Sequence, residues 1–250
     1  MCIRRAAMGL SVAPLLAIPM FAADQPLLAR VKASVAILYS QDEEGSMHMR
    51  CTTTAFKKTS KSYLFVSAAH CLGDDDGRHE TSAPFADLSL YVTFDEVQAA
   101  KTFYPADVVL VGYQQRGDDF CVLEVKTQET WTIIPLGDEK QEQDGAIVIN
   151  VASPRGLGLQ VFRGTISSLY VDRPLMEGGI NWKGSMLLQI TAGPGSSGSA
   201  IVSERQEAIV GFVVGVVGQN NVVAIPVSRF KAVRRAFEDG KYKWFVDVRK

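Results

Sequence analysis

From residue 27 onward the chain reads as short apolar, β-branched blocks broken by polar, glycine-bearing turns. Blocks at 27–39 (centred on 35–39), 49–56, 63–67, 88–94, 108–113 and 120–125 predict one set of strands. Blocks at 146–151, 160–170, 186–191, 200–203, 208–217 and 222–225 predict a second set. Residues 126–138 are polar and end in Pro135 and Gly137, which marks a linker between the two halves. Strands at short spacing with no helical pattern between them argue for a barrel or a sandwich. The period changes only near the end. There Phe230, Val233, Arg234 and Phe237 have helical spacing and Ser228 can cap, so one amphipathic helix is expected over 227–238.

Composition narrows the class. The 250 residues suit one large all-β domain or two small ones, and 47% apolar residues are ample for a core. A net charge of -1, with no basic run interleaved with aromatics, gives no sign of a nucleic-acid surface. At the N-terminus, Arg4 and Arg5 precede an uncharged apolar run over 6–23 that Asp24 ends. This has the layout of a signal peptide, and its alternative is an uncleaved signal anchor. Pro14 and Pro19 weaken it as a stable helix. The expected location is therefore secreted or periplasmic, with membrane contact only through an uncleaved N-terminal segment. The four cysteines are Cys2, Cys51, Cys71 and Cys121, none in a CxxC pair, so a zinc site is not expected. Beyond the N-terminal run at most one disulfide can form, with one thiol left over.

Three stretches carry candidate chemistry. The run Gly193-Pro194-Gly195-Ser196-Ser197-Gly198-Ser199 has a strand-like segment on each side. Glycines there let backbone N–H groups turn inward and let a substrate carbonyl approach, although a tight Gly/Ser turn has the same composition. The segment Ser67-Ala68-Ala69-His70-Cys71 places a histidine on a tight turn after a strand, as a general base requires. Cys71 can bond Cys51 and fix that turn, which also suits an oxidising compartment. In Asp118-Asp119-Phe120-Cys121, Asp119 directly abuts an apolar strand and can orient the histidine. Asp118 reads as a solvated turn residue and Cys121 as a small core residue. The order His70, Asp119, Ser197 is one of the three orders in which serine triads occur.

With these segments in that order, the sequence resembles the chymotrypsin/trypsin-like serine proteases. A more specific likeness is to the HtrA/Deg branch, carried by Ala152-Ser153-Pro154-Arg155-Gly156-Leu157-Gly158 with residues 161–169, and by Val223-Ala224-Ile225-Pro226 before the final helix. The resemblance implies an all-β fold of two six-stranded antiparallel β-barrels with a C-terminal α-helix. The implied organisation is a signal peptide or anchor over 1–23 and a protease domain over 27–250. That domain divides into a first barrel (27–125), a linker (126–138), a second barrel (139–226) and a helix with tail (227–250). The resemblance also implies a Cys51–Cys71 disulfide and a triad of His70, Asp119 and Ser197. Gly195 and Ser197 would supply the oxyanion hole. Thr191, Ala192, Val213, Val214 and Ala224 would line the specificity pocket. None of these five is charged, so cleavage of protein or peptide substrates after small or medium apolar residues is expected.

The sequence also departs from the family pattern. Ser199 stands where glycine is common. The loop before Ser197 is shorter than in HtrA proteins, which leaves open an oxyanion hole that forms only when substrate binds. With the sequence ending at Lys250, no PDZ domain is expected, and no hydrophobic-Gly-Gly activation site stands near a plausible mature N-terminus. A catalytically silent binding protein on the same fold, and an esterase, are the alternatives.

The remaining features read as structural. Asp74–Asp76 lack the alternating spacing of a calcium loop. Gly156-Leu157-Gly158 has no βαβ unit around it for a nucleotide. His48 and His79 are expected to be structural or solvated, Trp131, Trp182 and Trp244 to be packing anchors, and the basic face of the last helix to be solvated. No cofactor or metal is expected, and nothing in the sequence signals an oligomeric state.

Overall fold

The strands close into two barrels. The computed structural model describes residues 26–73, 89–94, 102–112, 117–172, 176–177, 180–217 and 221–241. The N-terminal apolar run, the acidic loop at 74–76, His79 and Trp244 lie outside the described residues. The first barrel comprises β1 (Val35–Gln41), β2 (Met47–Lys58), β3 (Ser62–Ser67), β4 (Ser89–Thr93), β5 (Tyr104–Val111) and β6 (Cys121–Lys126), closed in the order β1-β2-β3-β6-β5-β4. The second uses β7 (Ile147–Ala152) and β8 (Gln160–Ser168), then, past a small hairpin of β9 (Met176–Glu177) and β10 (Ile180–Asn181), β11 (Met186–Gln189), β12 (Ala200–Ser203), β13 (Ala208–Val217) and β14 (Asn221–Pro226). Its order is β11-β14-β13-β12-β7-β8, and every ladder in both barrels is antiparallel. The predicted strands are thus present. The hairpin β9–β10 is an addition too short to leave a periodic signal.

Strands β13 and β14 explain why the second half reads as continuous apolar runs rather than alternating ones. Val222 and Ala224 face the second barrel's interior, with Met186, Leu188 and Val213. Their neighbours Val223 and Ile225 face the core shared with the first barrel, with Phe212 and Phe230. Burial on both faces removes the polar half of the period.

Residues 27–34 depart from expectation. They form a helix, α1 (Leu27–Ser34), and β1 begins only at Val35. Leu, Ala, Arg and Lys are good helix formers, and Pro26 at the N-cap fixes an entry the helix accepts. Val31 and Ser34 are buried, and Arg30 pairs with Glu207 of the second barrel at 2.6 Å. Residues 134–137 tie into both barrels: Ile134 N–H donates to Ala55 O at 3.2 Å and Gly137 N–H to Ile209 O at 2.8 Å.

The closing helix α2 (Val227–Glu238) wedges between the barrels. Phe230 is fully buried, with the rings of Phe56, Phe120 and Phe212 edge-on at 5.4, 5.1 and 5.2 Å. Ser228 does not cap this helix, because Pro226 holds the N-cap position and Ser228 already sits in the first turn. Glu139 caps it instead, accepting Ser228 N–H at 3.0 Å and bonding the Ser228 hydroxyl. Trp131, packed against Tyr63, Phe65, Phe94 and Tyr104, and the buried Trp182 are packing residues.

Because one ring meets aromatic edges from both barrels, Phe230→Ala is expected to destabilise the protein by about 3–5 kcal/mol. The check is the shift in chemical-denaturation midpoint against Phe237→Ala, whose site is only partly buried against the same core.

Candidate active site

The histidine turn is built on the end of β3. Ala68 is extended and residues Ala69–Leu72 form a short 3-10 turn, with Ala68 and Ala69 small enough to lie buried beneath it. A disulfide joins Cys71 to Cys51 of β2 across a sequence separation of 20. Closing a loop of that length contributes about 3 kcal/mol by restricting the unfolded chain. The two sulfurs lie within 4.8 Å of a His70 nitrogen, but a disulfide offers no thiolate to a metal.

Asp119 is fully buried and turns both carboxylate oxygens to the histidine. Oδ1 accepts the His70 backbone N–H at 2.9 Å, and Oδ2 lies 2.7 Å from Nδ1. An ionised carboxylate only accepts, so Nδ1 carries the ring proton and the basic lone pair sits on Nε2. Burial pulls the His70 pKa down, while the charge and hydrogen bond of Asp119 push it up. The balance lies above the ordinary value of 6.5.

Asp118 is not the solvated turn residue expected. It is 7% exposed, and its Oδ1 accepts Nε of Arg229 at 2.6 Å. Arg229 projects from α2 and also donates to Lys183 O at 3.0 Å. The partner lies 111 residues away, so no local pattern announces it. Gly112 lets the Asp118 backbone pack against the end of β5, since a Cβ there would stand 1.9 Å from Asp118 O. Cys121 is fully buried, as expected of a core residue, and burial pushes its thiol pKa up.

The Gly/Ser loop runs from β11 to β12. Ser196 N–H donates to Gly193 O at 2.9 Å, and the Ser196 hydroxyl accepts Gly193 N–H at 3.1 Å. Ser199 is buried, gives its hydroxyl to Ser196 O at 2.6 Å and accepts from Asn150 Nδ2 at 2.8 Å. Ser197 is half-buried. Gly198 has a φ of +82°, and a Cβ there would lie 2.3 Å from Ser67 Oγ and 2.7 Å from Ala68 N. The residue after Ser197 thus rests on the residues that lead into the His70 turn. Thr52 N–H of β2 donates to Ser197 O at 3.1 Å, joining the two sides again.

Gly195 has a φ of +92°, a backbone region that glycine occupies without strain. Pro194 O on one side of it accepts Arg155 N–H at 2.7 Å. Val213 and Ala224 are register partners on β13 and β14, with Ala192 packed against the same apolar cluster. Val214 faces the shared core, and Thr191 is exposed. Beside Gly195 opens a cleft of about 790 Å³ whose walls include Met47, Met49 and Arg155. His48 stands at its rim, exposed and 2.6 Å from Asp42; that hydrogen bond holds the Asp42 carboxyl below its usual range. This cleft was not read from the sequence, because its walls come from β1, β2, the turn after β7 and the Gly/Ser loop.

Residues 51–216 match the family model of the trypsin-like peptidase domain. No curated protein matches the sequence. Among solved structures, the fold is similar to the HtrA-type protease AlgW with a decapeptide (TM-score 0.65, 16% identity, covering 86% of this chain and 67% of that one). It is likewise similar to the same protease with a tripeptide (TM-score 0.64, 18% identity, covering 86% and 63%). An AlgW variant with a tripeptide matches at TM-score 0.63 and 17% identity, and there the chain spans 62% of the other chain's length.

The His70 shift has a measurable sign. Its contribution to stability is fully present below the unfolded value near 6.5 and is lost as pH rises through the higher folded value. In an NMR titration the His70 ring is expected to titrate above 6.5. Asp119→Asn removes the charge and leaves the burial, so the midpoint is expected to fall below that of wild type. An unchanged midpoint in the variant would contradict the assignment of cause.

Proposed function

The chain belongs to the trypsin-like peptidase domain family, and on that premise we propose that it is a serine endopeptidase with Ser197 as nucleophile, His70 as general base and Asp119 as the residue that orients His70. The observation that carries this reading is the buried Asp119 carboxylate bonded to His70 at Nδ1, 2.7 Å away, under a loop whose Ser196 and Ser199 hydroxyls are engaged within the loop. Ser197 is the serine that remains for chemistry. Its Oγ attacks the scissile carbonyl as His70 Nε2 takes the proton, and the backbone N–H groups of Gly195 and Ser197 stabilise the oxyanion. Collapse breaks the C–N bond, His70 hands its proton to the leaving amine, and water repeats the sequence on the acyl-enzyme.

Substrates are proteins or peptides cleaved after small or medium apolar residues. The apolar cluster of Ala192, Val213 and Ala224 supports this, and none of those side chains can pair with a charged residue. The AlgW structures hold peptides, which agrees with a peptide substrate. We assign 1–23 to a signal peptide or anchor and 27–250 to the protease domain, in a secreted or periplasmic setting. The Cys51–Cys71 disulfide supports an oxidising compartment.

A serine-directed phosphonate is expected to label the wild-type protein and to leave Ser197→Ala unlabelled. A folded, unlabelled wild type would favour a catalytically silent binding protein, and turnover of esters but not amides would favour an esterase. Asp119→Asn is expected to lower kcat by about 10⁴-fold. The acid limb of the kcat/KM profile should lie above 6.5, following the raised His70 pKa. Peptide-library profiling that returned a strong Arg, Lys or Glu preference would overturn the specificity proposed.

A further inference from the structure

Thr52 is a fully buried residue of β2, next to the disulfide cysteine Cys51. Its hydroxyl donates to Gly195 O at 2.8 Å and accepts Ser153 N–H at 2.9 Å. The direction of both bonds is fixed, because a carbonyl only accepts and a peptide N–H only donates. Its backbone N–H donates to Ser197 O at 3.1 Å, and its carbonyl accepts the Ser67 hydroxyl at 2.8 Å. One side chain in the first barrel therefore reaches two loops of the second, at 153–155 and at 193–198.

The consequence falls on Gly195. Glycine has no side chain to hold its own φ and ψ, so its peptide planes go where their hydrogen bonds send them. The plane before it is held through Pro194 O by Arg155 N–H at 2.7 Å. In a trans peptide the N–H points opposite to the C=O, so the Gly195 N–H points away from Arg155. The plane after it is held through Gly195 O by the Thr52 hydroxyl. A Cβ on Gly195 would stand 2.8 Å from Ser153 O, so the same loop also closes the space on that side.

We propose that Thr52 is a positioning residue for the oxyanion site: its hydroxyl sets the peptide geometry at Gly195 and keeps the Gly195 N–H aimed at the oxygen that becomes charged in the transition state. The assignment rests on the reading of Gly195 and Ser197 as the oxyanion donors. The short loop before Ser197 needs no substrate to shape it, since groups of the protein hold both planes at Gly195. Thr53 provides a contrast. It is equally buried, but its hydroxyl donates to Val66 O at 2.8 Å, within the first barrel.

The experiment compares Thr52→Val, Thr52→Ala, Thr52→Ser and Thr53→Val with wild type. The readouts are kcat and KM on a peptide amide with an apolar residue before the scissile bond, and Ki for the matching peptidyl boronate. The boronate forms a tetrahedral adduct on Ser197 and so reads the oxyanion site directly. Loss of an entire oxyanion donor lowers kcat by roughly 10²–10³-fold, and a misaimed donor costs part of that. Thr52→Val and Thr52→Ala are each expected to lower kcat by about 10–100-fold, to leave KM within about twofold, and to weaken boronate binding in step with kcat. Thr52→Ser, which restores the hydroxyl, should recover most of the loss, and Thr53→Val should keep wild-type kcat. An active wild type whose Thr52→Val and Thr52→Ala variants match it in kcat and boronate affinity would overturn the assignment. So would losses that follow melting temperature alike at Thr52 and Thr53. A wild-type protein that neither turns over the amide nor takes the boronate would sink the peptidase reading, and this assignment with it.

Discussion

A closed barrel has no edge left to offer. Each of the two barrels here satisfies its backbone groups by pairing its own strands around a circle, so neither can recruit the other by extending a sheet. Yet His70 hangs from the first barrel and Ser197 from the second. Their relative position depends on what crosses the seam. Several contacts do so, and two of them differ in character. Apolar contact comes from Phe230, whose ring meets aromatic edges from both sides. Hydrogen bonding comes from Thr52 N–H and hydroxyl to the Ser197 loop. The first is strong and non-directional, and it brings the barrels together. The second is weaker and directional, and it fixes which atoms face each other.

The charges around the histidine follow the same division. Asp118 and Asp119 are adjacent buried acids on the approach to β6. They are turned to different partners. Asp119 meets the histidine turn within its own barrel, and Asp118 meets Arg229 on the closing helix. The guanidinium offsets the second negative charge from the far side of the seam. The segment that carries Asp119 is thereby tied to a helix more than a hundred positions later in the chain.

Much of this architecture was legible in the order of residues. The strand blocks, the polar break at 126–138 and the change of period at 227 all have local causes, and local causes leave local patterns. Besides the short β9–β10 hairpin, the exception among elements is α1, where Leu and Val suggested the start of a strand. Pro26 and the Ala, Arg and Lys positions decided for a helix. What the sequence concealed has a different character. Asp118 looked like a turn residue, Ser228 like a cap, and Thr52 like an ordinary β-branched strand residue. Each is defined by a partner far along the chain: Arg229, Glu139 and the Gly195 carbonyl. Ser199 was a departure from a common glycine, and in the fold it is an internal brace of the loop, bonded to Ser196 O and Asn150. Periodicity reports which face of an element is buried. It carries no information about which group waits on the other side.

The free thiol of Cys121 has a bearing on how the chain reaches this state. Three cysteines beyond the N-terminal run allow three pairings during oxidation, and Cys121 sits opposite Ser67 on the strand beside the histidine turn. The native pair closes 20 residues. The rival pairs would close 50 (121 − 71) and 70 (121 − 51). Chain entropy favours the native bridge over these by only about 0.8 and 1.1 kcal/mol, so it forms first but not alone. A mispaired bridge would engage Cys121 with Cys51 or Cys71 and leave the third cysteine free, and its rescue needs a thiolate to reopen it. Once β3 and β6 have zipped together, burial keeps the Cys121 thiol protonated and out of exchange. The closed barrel thus shields the thiol of β6 from exchange with the bridge that braces the histidine turn.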